Sequence, residues 1–233
     1  MRTNIINHNA DKEVATRTEE VFIMRNKIFV TEDFKFDLQR FTGAFSGGDG
    51  SQTNPYEIKS VEDLQQLAND VNGGNTYYGK YFIVTANIDL SSVANFTPIG
   101  NQNTSAFAGT FDGNNSEYTI SGMKINRGDW CQGLFGANSG TIKNVTLLNV
   151  DITKNSANNI GGLVGKNEGT VESCTVTGNI AGYVNVGGIV GCNNSIATIV
   201  SDNTFHSNAN AIGWDNSRAT KNNTRVYDFN APE

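Results

Sequence analysis

The side chains with chemical potential are few and scattered. Asp129 stands directly before Trp130, a carboxylate beside an aromatic ring, which suits contact with a sugar. Asp112, in the stretch FDGNN, is the second acid of interest, although Asp-Gly is a favoured turn dipeptide and turn chemistry accounts for it. Cleaving a glycosidic bond usually takes two carboxylates, about 5–5.5 Å or 6.5–9.5 Å apart. Between Gly133 and Val200 the acids are Asp151, Glu168 and Glu172, and adjacent repeat copies carry no matching acid. Solvated surface positions are expected for these three. No Ser sits in a Gly-x-Ser-x-Gly elbow, and neither His8 nor His206 is spaced to serve a Ser or Cys. Cys131, Cys174 and Cys192 are odd in number and irregular in spacing. That fits neither a disulfide framework nor a zinc site, so buried thiols are expected, Cys174 above all. The loop GGDGSQTNPYE from Gly47 lacks the ordered acids of an EF-hand, which leaves a single bound calcium as a minor alternative. The expectation is no catalytic residue, no metal and no cofactor.

Composition points the same way. The 233 residues include 25 Gly but 3 Pro, with 37% hydrophobic and 17% charged residues. Such a chain suits a β-rich, turn-rich fold and is too sparsely charged for a disordered polyelectrolyte. A net charge of −6 and a pI near 5.0 give a nucleic-acid partner no electrostatic basis. No apolar run approaches the roughly 18 residues of a membrane span. The stretch VFIMRNKIFV from Val21 is broken by Arg25 and Lys27 and has no cleavage site, so it does not read as a signal peptide. Residues 1–46 are expected as a flexible leader, with Met24 as an internal start candidate.

The elements that would hold any site come from a repeat. GLFGANSGTIKNVTL, beginning at Gly133, returns 29 residues later as GLVGKNEGTVESCTV at Gly162, and GIVGCNNS opens a third copy at Gly188. Beneath the glycines runs an apolar pattern spaced three and then two: Ile142/Val145/Leu147, then Val171/Cys174/Val176, then Val200/Asn203/Phe205. The same spacing occurs at Ile120/Met123/Ile125 and at Ile83/Ala86/Ile88. Alternation marks a half-buried strand, and a step of three inserts one residue that turns the chain. One coil cannot bury its own inward face, whereas stacked coils form continuous apolar columns. Three columns are expected: Ile120, Ile142, Val171 and Val200; Met123, Val145, Cys174 and Asn203; Ile125, Leu147, Val176 and Phe205. The fold expected is therefore all-β, a right-handed parallel β-helix (β-solenoid) over residues 81–233.

The glycines of GLFG, GLVG and GIVG are expected at tight corners, allowing positive φ or close approach of the next coil. Asn138, Asn167 and Asn193 follow them, suited to bonding local backbone or one another between coils. Thr146, Thr175 and Thr204 should face outward, one per coil, too thin a row for ice binding. Residues 47–80 read as an opening loop and a capping helix. Ser60 can N-cap it, with Asp63 in the capping-box position. Val61, Leu64, Leu67, Ala68 and Val71 share one face, and Gly73-Gly74 ends it.

GLFGANSGTIKNV and GGLVGKNEGTVESC resemble the GLUG-type repeats of bacterial surface proteins. GTFDGNNSEYTISGMKI from Gly109 and the segment from Gly48 resemble stretches that precede such repeats, so the likeness covers roughly Gly48 to Trp214. In the third copy Ser195 replaces the second-turn glycine. The resemblance implies an adhesin-like β-helix that is extracellular or on the cell surface, with a host or matrix glycan or protein as its ligand. The expected function is thus a non-catalytic binding or structural module. A carbohydrate-active β-helix enzyme, a polysaccharide lyase or hydrolase, is the alternative.

Overall fold

A computed structural model describes residues 21–24, 27–30, 45–101, 105–153, 157–194, 199–201, 203–206, 210–215 and 224–225. The chain divides into two compact units, Met1–Ala44 and Phe45–Glu233. In the first, β1 (Val21–Met24) and β2 (Lys27–Val30) pair antiparallel, Val21 opposite Val30 and Met24 opposite Lys27.

The second unit opens with β3 (Tyr56–Ile58) and α1 (Val61–Asn72). The capping box forms as the sequence requires. Asp63 N–H donates to Ser60 Oγ at 3.2 Å, and Ser60 N–H to Asp63 Oδ2 at 3.1 Å. Asp63 also accepts from Ser46 N–H, Ser46 Oγ and Lys59 N–H, which ties the opening loop to the start of the helix. Leu64, Leu67, Ala68 and Val71 are buried and join the core cluster that holds Ile58, Phe82 and Val84. Phe45, Tyr56, Tyr77 and Phe82 interlock here with ring centroids 4.9–6.1 Å apart, edge-to-face or tilted as ring quadrupoles favour.

About five turns of solenoid follow. The first holds β4 (Tyr81–Val84) and β5 (Ile88–Asp89); the next holds β6 (Thr110–Asp112), β7 (Thr119–Ser121), β8 (Lys124–Ile125) and β9 (Phe135–Asn138). A third holds β10 (Thr141–Lys143), β11 (Thr146–Thr153), β12 (Asn158–Gly161) and β13 (Val164–Asn167). Then come β14 (Thr170–Glu172), β15 (Thr175–Ala181) and β16 (Val184–Asn193). The last described strands are β17 (Ile199–Ser201), β18 (Thr204–His206), β19 (Asn210–Asp215) and β20 (Thr224–Arg225). Three parallel sheets result: β3-β4-β6-β10-β14-β17, then β5-β7-β11-β15-β18-β20 with β8 beside β11, and a third of β9, β13, β16, β12 and β19.

Register sets the core. Val171 lies on Ile142 and under Val200 in the first sheet, as the repeat predicts. Leu147, Val176 and Phe205 stack in the second. The upstream copies differ from the expected columns. Ile120 stacks on Leu147, not Ile142, and Ile125 on Ile152, not Leu147. Phe111 and Phe82 take the places below Ile142, and Ile83 is half-exposed between buried Phe82 and Val84. The reason is that a three-then-two spacing arises at any one-residue corner. Such a corner follows β7, at Gly122 (φ 70), as well as β10, at Asn144 (φ 56).

The glycines also sit differently. Gly136, Gly165 and Gly191 lie within β9, β13 and β16 rather than at corners. A Cβ on Gly136 would stand 2.2 Å from Gly100 O, and one on Gly165 2.6 Å from Cys131 C. Close approach of a neighbouring backbone, not positive φ, dictates glycine there. Asn144 (φ 56) and Ser173 (φ 53) hold the left-handed corners instead.

Candidate functional site

The asparagines after the glycine pairs form a buried ladder. Asn138 Nδ2 donates to Asn167 Oδ1 at 2.8 Å, and Asn167 Nδ2 to Asn193 Oδ1 at 3.0 Å. Each rung also closes its own turn: Gly140 N–H donates to Asn138 Oδ1 and Gly169 N–H to Asn167 Oδ1, at 3.1 and 3.2 Å. Asn203 solves a related problem in the core, where the column turns polar. Its Oδ1 accepts from Cys174 N–H at 2.9 Å, and its Nδ2 donates to Val171 O at 3.3 Å. These amides are structural, satisfied inside the stack.

Asp112 and Glu168 are also occupied. Asp112 Oδ2 lies 3.1 Å from Lys143 Nζ, while its Oδ1 accepts from Asn114 N–H and Asn144 Nδ2. Glu168 lies 2.9 Å from Lys166 Nζ and accepts from Asn194 Nδ2 at 2.7 Å. The Lys166 hydrogen bond holds the Glu168 carboxyl below its usual range, against a partial desolvation. Asp151 is exposed and Glu172 half-exposed. In the loop from Gly47, Asp49 Oδ1 accepts from Ser51 N–H at 2.8 Å and Glu57 pairs with Lys59. Among the described residues no three His, Cys, Asp or Glu side chains gather as a metal site. Cys131, Cys174 and Cys192 are buried thiols. Burial pushes the Cys131 thiol up to about 11 and the Cys174 thiol up to about 12. His8, Ser195 and the His206 side chain lie outside the described residues.

Asp129 and Trp130 do come together in a concave site. A cleft of about 460 Å³ is lined by Asn72, Asn101, Arg127, Asp129, Trp130 and Gln132, among others. Asp112 is not among its lining residues. The guanidinium of Arg127 is fixed by Nε donating to Phe96 O at 3.1 Å and Nη2 to Thr97 Oγ1 at 2.8 Å. Gln132 is buried, and its Nε2 donates to Asp129 O at 2.9 Å, which anchors the loop that presents Asp129 and Trp130. Its Oε1 is buried and has no hydrogen-bond partner among the described residues. Sequence reasoning singled out the Asp-Trp pair but missed Arg127 and Gln132. The signal for Gln132 was positional, as the last residue before the GLFG glycine.

Among the described residues no helix is long and apolar enough to cross a membrane. Residues 156–181 match the family described as the GLUG motif. The chain is 34% identical over 197 residues, 80% of its length, to Halomucin of Haloquadratum walsbyi. It is 32% identical over 147 residues, 59% of its length, to a protein of Evansella cellulosilytica named as a Gly-rich membrane protein. The chain spans 2% of the first relative and 16% of the second. No solved structure matches it. The coil built from β12, β13, β14 and β15 thus matches the GLUG motif, and it stacks with its neighbours as one turn of a parallel solenoid.

Proposed function

We propose that the chain is a non-catalytic, adhesin-like binding module that acts at the cell surface or outside the cell on a host or matrix ligand. The GLUG motif and the two relatives suggest a non-enzymatic surface protein. The observation that carries the reading is the employment of the acids in the coils. Asp112 and Glu168 are locked to Lys143 and Lys166 and to coil-to-coil amides. The Lys166 hydrogen bond lowers the proton affinity of Glu168, which makes it a poor general acid. Asp129 is the acid that lines the cleft, and one carboxylate there falls short of the pair the rival enzyme reading needs. The test is a display of glycans and matrix proteins probed with the purified chain for both retention and cleavage. Retention with intact ligand supports the module. New reducing ends or unsaturated products, lost on Asp129→Asn, would replace it with an enzyme.

A further inference from the structure

The cleft lies at one end of a longer feature. Gln132 pairs with Ile160, and Ile160 with Val186 on the next coil, while Asn158 pairs with Val184. Counting back two residues along each strand puts Trp130, Asn158 and Val184 at one register position on consecutive coils. The residues that follow them confirm the equivalence: Cys131, Asn159 and Asn185 all adopt the left-handed conformation, with φ of 65, 55 and 56. The backbone turns at the same place three times, so the residue before each turn is presented along one edge. What is presented there is unusual for this chain. Trp130 is 56% exposed, Tyr183 74% and Val184 42%, three of the five large apolar side chains exposed among the described residues.

Polar atoms with unmet needs lie along the same edge. Among the described residues three buried side-chain polar atoms lack a partner, and two of them, Gln132 Oε1 and Asn158 Oδ1, belong to this edge. Both are acceptors, and a buried acceptor in a native structure calls for a donor. Asp129 adds a third acceptor, and Arg127, which lines the same cleft, makes the formal charges of the two side chains sum to zero.

From this edge we infer that the row Trp130, Asn158 and Tyr183-Val184, with the cleft at its lower end, is a binding strip for an uncharged, extended oligosaccharide. The inference rests on the binding-module reading and names its ligand class and site. Flat, exposed rings suit the C–H faces of sugars, as Trp and Tyr serve at wet interfaces generally. The amide and carboxylate acceptors suit hydroxyls, which are dense along a glycan. Two coil spacings separate Trp130 from Val184, about 10 Å at the strand repeat of ~4.8 Å. A single sugar can touch one end of the strip, and a short chain can reach both.

The test uses a Trp214→Phe background, which leaves Trp130 as the lone tryptophan. Neutral cello-, xylo- and manno-oligosaccharides, from mono- to hexasaccharide, are titrated against its fluorescence. The expected result is a saturable change with at least one series, and affinity that climbs with length until the ligand spans the strip. Trp130→Ala, followed by calorimetry, and Tyr183→Ala and Asn158→Ala should each weaken binding about tenfold or more. Their unfolding midpoints should stay near the parent's, since the first two side chains are exposed and the third has an unpaired oxygen. Equal affinity in Trp130→Ala, or no binding in any series, overturns the strip. Retention of matrix proteins alone would overturn it while leaving the binding module standing. Cleavage of a bound oligosaccharide that still needs Trp130 would keep the strip and overturn the non-catalytic reading.

Discussion

Replacing Asn167 by Ala should cost the solenoid more than any conservative surface change. Asn167 is fully buried and makes four hydrogen bonds, from Asn138 Nδ2 and Gly169 N–H and to Asn193 Oδ1 and Gly169 O. Truncation strands Gly169 N–H, Gly169 O and one lone pair of Asn193, while Asn138 Nδ2 retains Gly140 O at 3.3 Å. A buried group left unpaired costs about 1–3 kcal/mol, and partial relaxation keeps the total near 3–5 kcal/mol. For a domain of this size that corresponds to a fall in Tm of roughly 6–20 °C. The measurement is equilibrium urea unfolding by far-UV circular dichroism, with hydrogen exchange at the Gly140 and Gly169 amides. Exchange is needed because stacked repeats can open locally without global unfolding. Thr175→Ala, on the outward row, is the control and should lose less than about 1 kcal/mol. A loss below about 1 kcal/mol for Asn167→Ala, with unchanged exchange at both amides, would refute the claim that the ladder binds coil to coil.

Other outcomes follow from the same packing. Leu64→Ala should cost about 2–4 kcal/mol, because Leu64 is fully buried where α1 meets the first coils; an unchanged urea midpoint would make the helix peripheral. Gly165→Ala should destabilise by more than about 2 kcal/mol, since its Cβ would meet Cys131 backbone at 2.6 Å, and a neutral result would show that the coils can separate freely. The thiols should resist Ellman's reagent in the native protein and react on unfolding. Cys131 and Cys174 ionise near 11 and 12 when folded but near 9 when unfolded, so the native state holds more protons between those values. Stability should therefore be complete below about pH 9 and decline as the pH rises toward 11–12. A shallower alkaline decline in Cys131→Ala/Cys174→Ala than in the parent would support this, since Tyr77, whose hydroxyl is also held up by burial, keeps part of the slope, and identical profiles would contradict it.

The fold was largely legible because strand periodicity and repeat length both survive in the sequence. Ile142, Val145 and Leu147 announce two strands and a corner, and 29 residues later Val171, Cys174 and Val176 do so again. The early coils were harder to place, since Phe82 and Phe111 occupy positions that Ile and Val take later. An apolar spacing shared by two different corners cannot say which corner it marks. The helix was clear from Ser60 and its apolar face, because capping and amphipathicity are local properties. The cleft was only half legible. Asp129-Trp130 stood out by residue type, whereas Tyr183 and Asn158 meet Trp130's register only once the coils are stacked. An edge assembled by register has no signature along the chain.

The most direct test of the account puts binding and chemistry in one tube. The purified chain is incubated for a long period with insoluble neutral polysaccharide, then spun down, and the supernatant is assayed for reducing ends and unsaturated products. The account predicts that the protein sediments with the polysaccharide, that Trp130→Ala leaves it in solution, and that no new ends accumulate. Products that accumulate with the parent chain and vanish with Asp129→Asn would contradict it.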